Sequence, residues 1–118
     1  MVGRDDQALS VDDTLAALAD PARRQAVELL RERPRRASEL ADLIGLPRPA
    51  MSKHLRVLRL SRLVEESSPD SDARVRVYRL REERFAALSD WLAEVAALWT
   101  DQLAAFREHV ERDGEGRK

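Results

Sequence analysis

Two short helical patterns joined by a glycine turn constrain this chain more than any other feature of it. Between Ser38 and Ile44 the apolar residues Leu40, Leu43 and Ile44 follow a helical spacing, with Ser38 placed to cap the segment and Asp42 near its first turn. Gly45 then stands where helices commonly end in a left-handed residue, and Leu46-Pro47 completes a tight turn. From Arg48 to Ser61 the helical period resumes, with Met51, Leu55 and Leu58 on one side. The other side carries Arg48, Ser52, Lys53, Arg56 and Arg59. The second helix therefore has one apolar face to dock on a core and one cationic face left over.

The flanks supply that core. Val11–Ala19 reads as a short helix with Leu15 and Leu18 on one face. Asp20 is a good N-cap and Pro21 suits a first helical position, so a second helix runs from Pro21 to about Glu32 and ends before Pro34. Its apolar stripe is Ala26, Val27, Leu29 and Leu30. Beyond the cationic helix, Leu63–Glu66 and Ala73–Leu80 are β-prone segments around a Ser/Pro/Asp loop, which predicts a hairpin of open register. A long helical pattern then extends from Glu82 to about Glu111, with Leu88, Leu92, Val95, Trp99, Phe106 and Val110 recurring at steps of three, four and seven. Residues 1–10 and 113–118 read as flexible termini, leaving one domain over 11–112.

Composition excludes several classes of function. A chain of 118 residues suits one compact domain. It has no cysteine, hence no disulfide, thiolate metal site or cysteine nucleophile. No apolar run approaches the roughly 20 residues of a membrane span, and the start lacks a signal-peptide core, so a soluble, cytoplasmic protein is expected. Ser38, Ser52 and Ser61 lack a nucleophile-elbow context, and Glu65 and Glu66 are strand neighbours that face opposite ways. With glycine only at positions 3, 45, 114 and 116, no phosphate-cradling loop is present. Neither an enzyme nor a cofactor is expected.

Net charge is only -1, but it is unevenly spread. Arg23 to Arg84 holds 16 basic residues against 10 acidic ones, while both ends of the chain are acidic. Such a local excess is an electrostatic footprint for phosphate, or else a set of solvated helix faces. Helix, glycine turn, helix, then hairpin is the order of a winged helix-turn-helix: a mainly α, α+β fold whose second motif helix enters the DNA major groove. On that reading Arg48, with Pro49 and Ala50 in the first turn, faces base edges, and bidentate contact with guanine suits Arg48. Ser52, Lys53 and Arg56 suit the phosphates, Arg59 belongs to the same DNA-binding face, and Arg74 and Arg76 suit a clamp from the hairpin. His54 either touches phosphate or packs beneath the helix. Pro47 offers the helix start no side-chain cap, leaving N–H groups free to meet a phosphate.

The runs "LADPARRQAVELL" (Leu18–Leu30) and "ELADLIGLPRPAMSKHLRVL" (Glu39–Leu58), followed by "LVE" and "VYRL", resemble the ArsR/SmtB family of bacterial repressors over about Leu15 to Leu103. The resemblance implies a homodimer on double-stranded DNA, bound to an inverted-repeat operator near its own promoter, with an inducer or the operon context, which the residues do not identify, deciding when DNA is released. It also implies an interface built by the first and last helices, from Leu15, Leu18, Leu88, Trp91, Leu92, Val95, Trp99, Leu103 and Phe106. Trp91 and Trp99, eight apart, suit dimer packing or a ligand pocket. Metal-sensing members carry a cysteine pair in the first motif helix, where this chain has "ELADLIG", or paired His and carboxylate ligands on the last helix, where it has His109 alone. No metal site is expected. Two alternatives remain: a winged-helix interaction module without an operator, and a metal-responsive repressor.

Overall fold

The computed structural model describes residues 11–68 and 75–116, so Arg74 of the expected clamp lies outside the described residues. Two compact units divide the chain after Leu88. The first holds helices α1 (residues 11–18), α2 (Pro21–Glu32), α3 (Ala37–Ile44) and α4 (Arg48–Leu60) and strands β1 (Val64–Ser67) and β2 (Val77–Leu80). Helix α5 (Glu82–Gly116) begins there and supplies the second unit. The fold is the winged helix-turn-helix expected, mainly helical with a two-stranded antiparallel wing.

Local chemistry sets each boundary. Asp20 Oδ1 accepts the Ala22 N–H at 2.8 Å and Pro21 follows as the first helical residue, so α2 starts where the sequence places it. Ser38 does not cap α3. The cap is Arg36, whose own N–H is accepted by Glu39 Oε1 at 3.4 Å, and Ser38 lies inside the first turn. Gly45 closes α3 at φ 83°, and the Leu46 N–H reaches back to Ala41 O at 3.0 Å. Helix α4 ends in the same way without a glycine. Arg62 sits at φ 60°, Arg62 N–H bonds Arg59 O at 3.0 Å, and Leu63 N–H bonds Leu58 O at 2.9 Å. Helix α5 continues five residues beyond the expected end near Glu111, to Gly116.

The core of the first unit collects Leu40, Met51, Leu55, Leu58, Leu63 and Val64, all essentially inaccessible, with Ala26 and Leu30 from α2. Each large apolar side chain so buried contributes about 1.5–3 kcal/mol relative to exposure. The inward face of α4 is the expected one. That of α3 is not: its buried arc is centred between Leu40 and Ala41, which leaves Leu43 57% exposed. In α1 the buried residues are Val11, Thr14 and Ala17, while Leu18 is half-buried and Leu15 points away. β1 and β2 pair Val64 with Leu80, Glu65 with Arg79 and Glu66 with Tyr78. The second strand is shorter than the Ala73–Leu80 segment expected to form it. Arg35 adds one bridge to the outer side of β2, donating to Tyr78 O at 3.1 Å and accepting from Tyr78 N–H at 2.8 Å.

Candidate nucleic-acid interface

Much of the arginine excess is structural, which the charge pattern alone conceals. Arg23 donates from Nε to Ala17 O, and Arg24 donates to Leu18 O at 2.7 Å and Ala19 O at 3.1 Å. Both satisfy carbonyls that the end of α1 leaves without partners. Arg35 is 7% exposed; its Nε donates to Leu29 O at 3.1 Å, near the end of α2, and its guanidinium pairs with Glu32 at 2.8 Å. Arg33 pairs with Glu39, and Arg79 with Glu65. These cations brace the first unit.

Against that background the outer face of α4 is distinct. Arg48, Ser52, Lys53 and Arg56 are exposed, and among the described residues none of the three cations has an ion-pair partner. Pro49 is exposed beside Arg48, and Ala50 is half-buried beneath the first turn. Pro47 provides no side-chain cap, so the amino end of α4 presents its first N–H groups unpaired by a cap. A helix start of this kind carries partial positive charge, which adds to Arg48.

Three expected contact residues are engaged by the protein itself. His54 is half-buried, and its Nδ1 lies 3.2 Å from an Arg23 guanidinium nitrogen. Packing, the second option for His54, is therefore the one its position fits. Arg59 pairs with Glu66 at 3.0 Å, and Arg76 lies 3.7 Å from the same carboxylate. Tyr78 donates its hydroxyl to Glu66 Oε1 at 3.1 Å. Burial first, then the charge and hydrogen bond of Glu66, push the Tyr78 phenol above its ordinary range. Partial burial works against the Asp20 charge, but the Ala22 and Arg23 N–H groups, with His54 and Arg23 beside them, outweigh it and hold that carboxyl low.

Sequence reading missed Glu66, Arg23 and Arg62. For Glu66 a signal existed: once the hairpin register is fixed, it must face Tyr78. For Arg62 the signal was its place just beyond the last turn of α4, where glycine is the usual choice.

In the second unit α5 leaves Leu92, Trp99, Leu103, Phe106 and Val110 between 49% and 66% exposed, and Trp91 38% exposed. Val95 is half-buried, as are Leu88 and Leu18 in the first unit. His109 meets Asp113 at 3.3 Å on the same helix, and both are exposed.

Residues 20–66 match the model of the bacterial regulatory protein arsR family, a span that runs from the cap of α2 to the end of the helix-turn-helix and into the wing. The chain is 35% identical over 106 residues to the HTH-type transcriptional regulator Rv2034 of Mycobacterium tuberculosis, covering 90% of this chain and 94% of that one. It is 37% identical over 84 residues to the regulator KmtR of the same organism, covering 71% of this chain and 62% of the relative. Among solved structures, an ArsR family transcriptional regulator, RHA00566, superposes with a TM-score of 0.66 at 32% identity over 81% of this chain and 93% of that one. An ArsR-like regulator from Rhodococcus sp. RHA1 gives 0.70 at 27% identity over 91% and 95%. These relatives are regulators rather than enzymes, their shared region contains the cationic helix described above, and the chain belongs to the ArsR family of DNA-binding transcriptional regulators.

Proposed function

We propose that this chain is a cytoplasmic repressor that binds an inverted-repeat operator as a homodimer, with α4 in the major groove of each half-site. The observation that carries the reading is the outer face of α4, where Arg48, Lys53 and Arg56 stand together, exposed and unpaired among the described residues, while Arg23, Arg24 and Arg35 are tied to backbone carbonyls. A cation without internal partners breaks no ion pair when it meets phosphate, and the contact releases counterions from the DNA. Arg48, beside the open start of the helix, is the base reader, worth about 1–3 kcal/mol of discrimination. Ser52, Lys53 and Arg56 position the helix on the backbone. The exposed apolar residues of α5, with Leu15 and Leu18 of α1, form the dimer interface that sets the spacing of two such helices. A winged-helix interaction module without an operator is less well supported, because such surfaces centre on aromatic or apolar anchors, whereas the outer face of α4 from Arg48 to Arg56 is cationic and Leu60, at the far end of the helix, is its one exposed large apolar residue.

Footprinting on DNA upstream of the gene, at two salt concentrations, tests this. Protection of a two-fold site that fades steeply with salt supports the reading. Blank footprints there, together with a blank genome-wide selection, overturn it.

A further inference from the structure

The Glu66 carboxylate is the meeting point of three elements. Its Oε2 takes Arg59 of α4 at 3.0 Å, and its Oε1 takes the Tyr78 hydroxyl of β2 at 3.1 Å and stands 3.7 Å from Arg76, just before β2. It is itself 21% exposed, whereas the Arg59 and Arg76 side chains are 48% and 67% exposed. The acid is held and the cations are loose. Tyr78 is fixed in turn by two backbone hydrogen bonds to the buried Arg35, so the carboxylate has a rigid anchor. The neighbouring Glu65 faces the other side of the ladder and pairs with Arg79 and Arg81.

We propose that Glu66 is a built-in counter-charge of the DNA-binding surface, a positioning residue that keeps Arg59 and Arg76 committed to the protein until the wing seats correctly on an operator. The inference rests on the DNA-binding reading of α4. On a random duplex the two guanidiniums stay with Glu66, and only Arg48, Lys53 and Arg56 release counterions. On the operator, α4 and the wing are docked together, and both guanidiniums exchange the carboxylate for backbone phosphates. A half-exposed ion pair is weak enough for that exchange. Specificity then arises partly from cations withheld from the wrong DNA, beside those supplied to the right one.

The test is equilibrium binding of the full chain to its operator and to a random-sequence duplex across a salt series, for wild type, Glu66→Gln, Glu65→Gln and Arg59→Gln. Glutamine at 66 still accepts from Tyr78 but holds no cation. Glu66→Gln is expected to steepen the random-duplex slope of log K against log salt by about 0.9 for each guanidinium freed, and to lower the operator-to-random ratio. Glu65→Gln changes net charge equally and leaves the slope as in wild type. Arg59→Gln, which does not depend on Glu66→Gln folding, lowers the operator slope by about 0.9 and leaves the random-duplex slope alone. An unchanged random-duplex slope in Glu66→Gln, even with operator affinity lost, reduces Glu66 to a brace and overturns the proposal. An equal rise in Glu65→Gln, or an equal fall on both duplexes in Arg59→Gln, overturns it too. A wild-type chain that binds no duplex overturns this inference and the operator reading together. Binding with unaltered slopes overturns this one alone.

Discussion

Arg62 holds a backbone conformation, φ 60°, that costs an ordinary residue about 1–2 kcal/mol. Glycine escapes that cost but gives up about 0.5–1 kcal/mol more freedom on folding. Arg62→Gly is therefore expected to stabilise the protein by up to about 1 kcal/mol, seen as a higher denaturant midpoint with an unchanged m-value. Tyr78 offers a second reading at this scale, because it is the chain's single tyrosine and its phenolate absorbance titrates alone. Folded protein should ionise above the ordinary value of 10.0, and Glu66→Gln should bring it back towards that value. A folded pKa above the unfolded one stabilises fully below the unfolded value, so this contribution fades as the pH rises through the folded pKa. The residues that sequence could place were those whose role follows from period alone, such as Met51, Leu55 and Leu58. Arginine resists such reading. One side chain type serves as strut at Arg23 and Arg35 and as open cation at Arg48, and only the positions of carbonyls and carboxylates tell the two apart.

At the scale of elements, the ends of helices were legible where a side chain or glycine does the capping and illegible where the backbone is held from elsewhere. Asp20 and Gly45 are of the first kind. Arg36 is of the second: Arg35 is pinned to Tyr78 across the sheet, so α3 begins immediately after it and Ser38 arrives too late to cap. Leu43 was assigned inward because it stands at helical spacing from Leu40. The small Ala41 takes the core position instead, 1% exposed, and turns Leu43 outward. Asp20→Ala is expected to cost about 1 kcal/mol by chemical denaturation. Because the folded Asp20 pKa is depressed, its contribution is present above the ordinary carboxyl value of 3.8 and is lost as the pH falls through the folded pKa. Asp20→Asn keeps the cap and should flatten that acid-side dependence. Arg35→Ala, which removes the buried strut on the last turn of α2, is expected to cost about 2 kcal/mol, and lysine, lacking the fork, should not restore it.

At the scale of the whole molecule, the helix-turn-helix and wing were legible in order and type, since glycine turn, amphipathic helices and hairpin leave few other arrangements. What covers α5 was named only through the family resemblance, as a dimer interface. Its apolar residues recur with helical spacing and stay exposed in a single chain, and Trp91 and Trp99 are the chain's two tryptophans. On the proposed homodimer, dilution through its dissociation constant should therefore red-shift tryptophan emission. On the same proposal, Trp99→Glu should yield a monomer by sedimentation and weaken operator binding more than tenfold, as one half-site is lost. Arg35 and Tyr78, hydrogen-bonded to each other in both directions, close a loop of chain that contains α3, α4 and β1. Both ends of the reading head are thus tied into one knot of backbone. It cannot fray open at one end, so the Tyr78 amide proton should exchange with solvent only through cooperative opening of the first unit, on the slowest timescale that unit possesses.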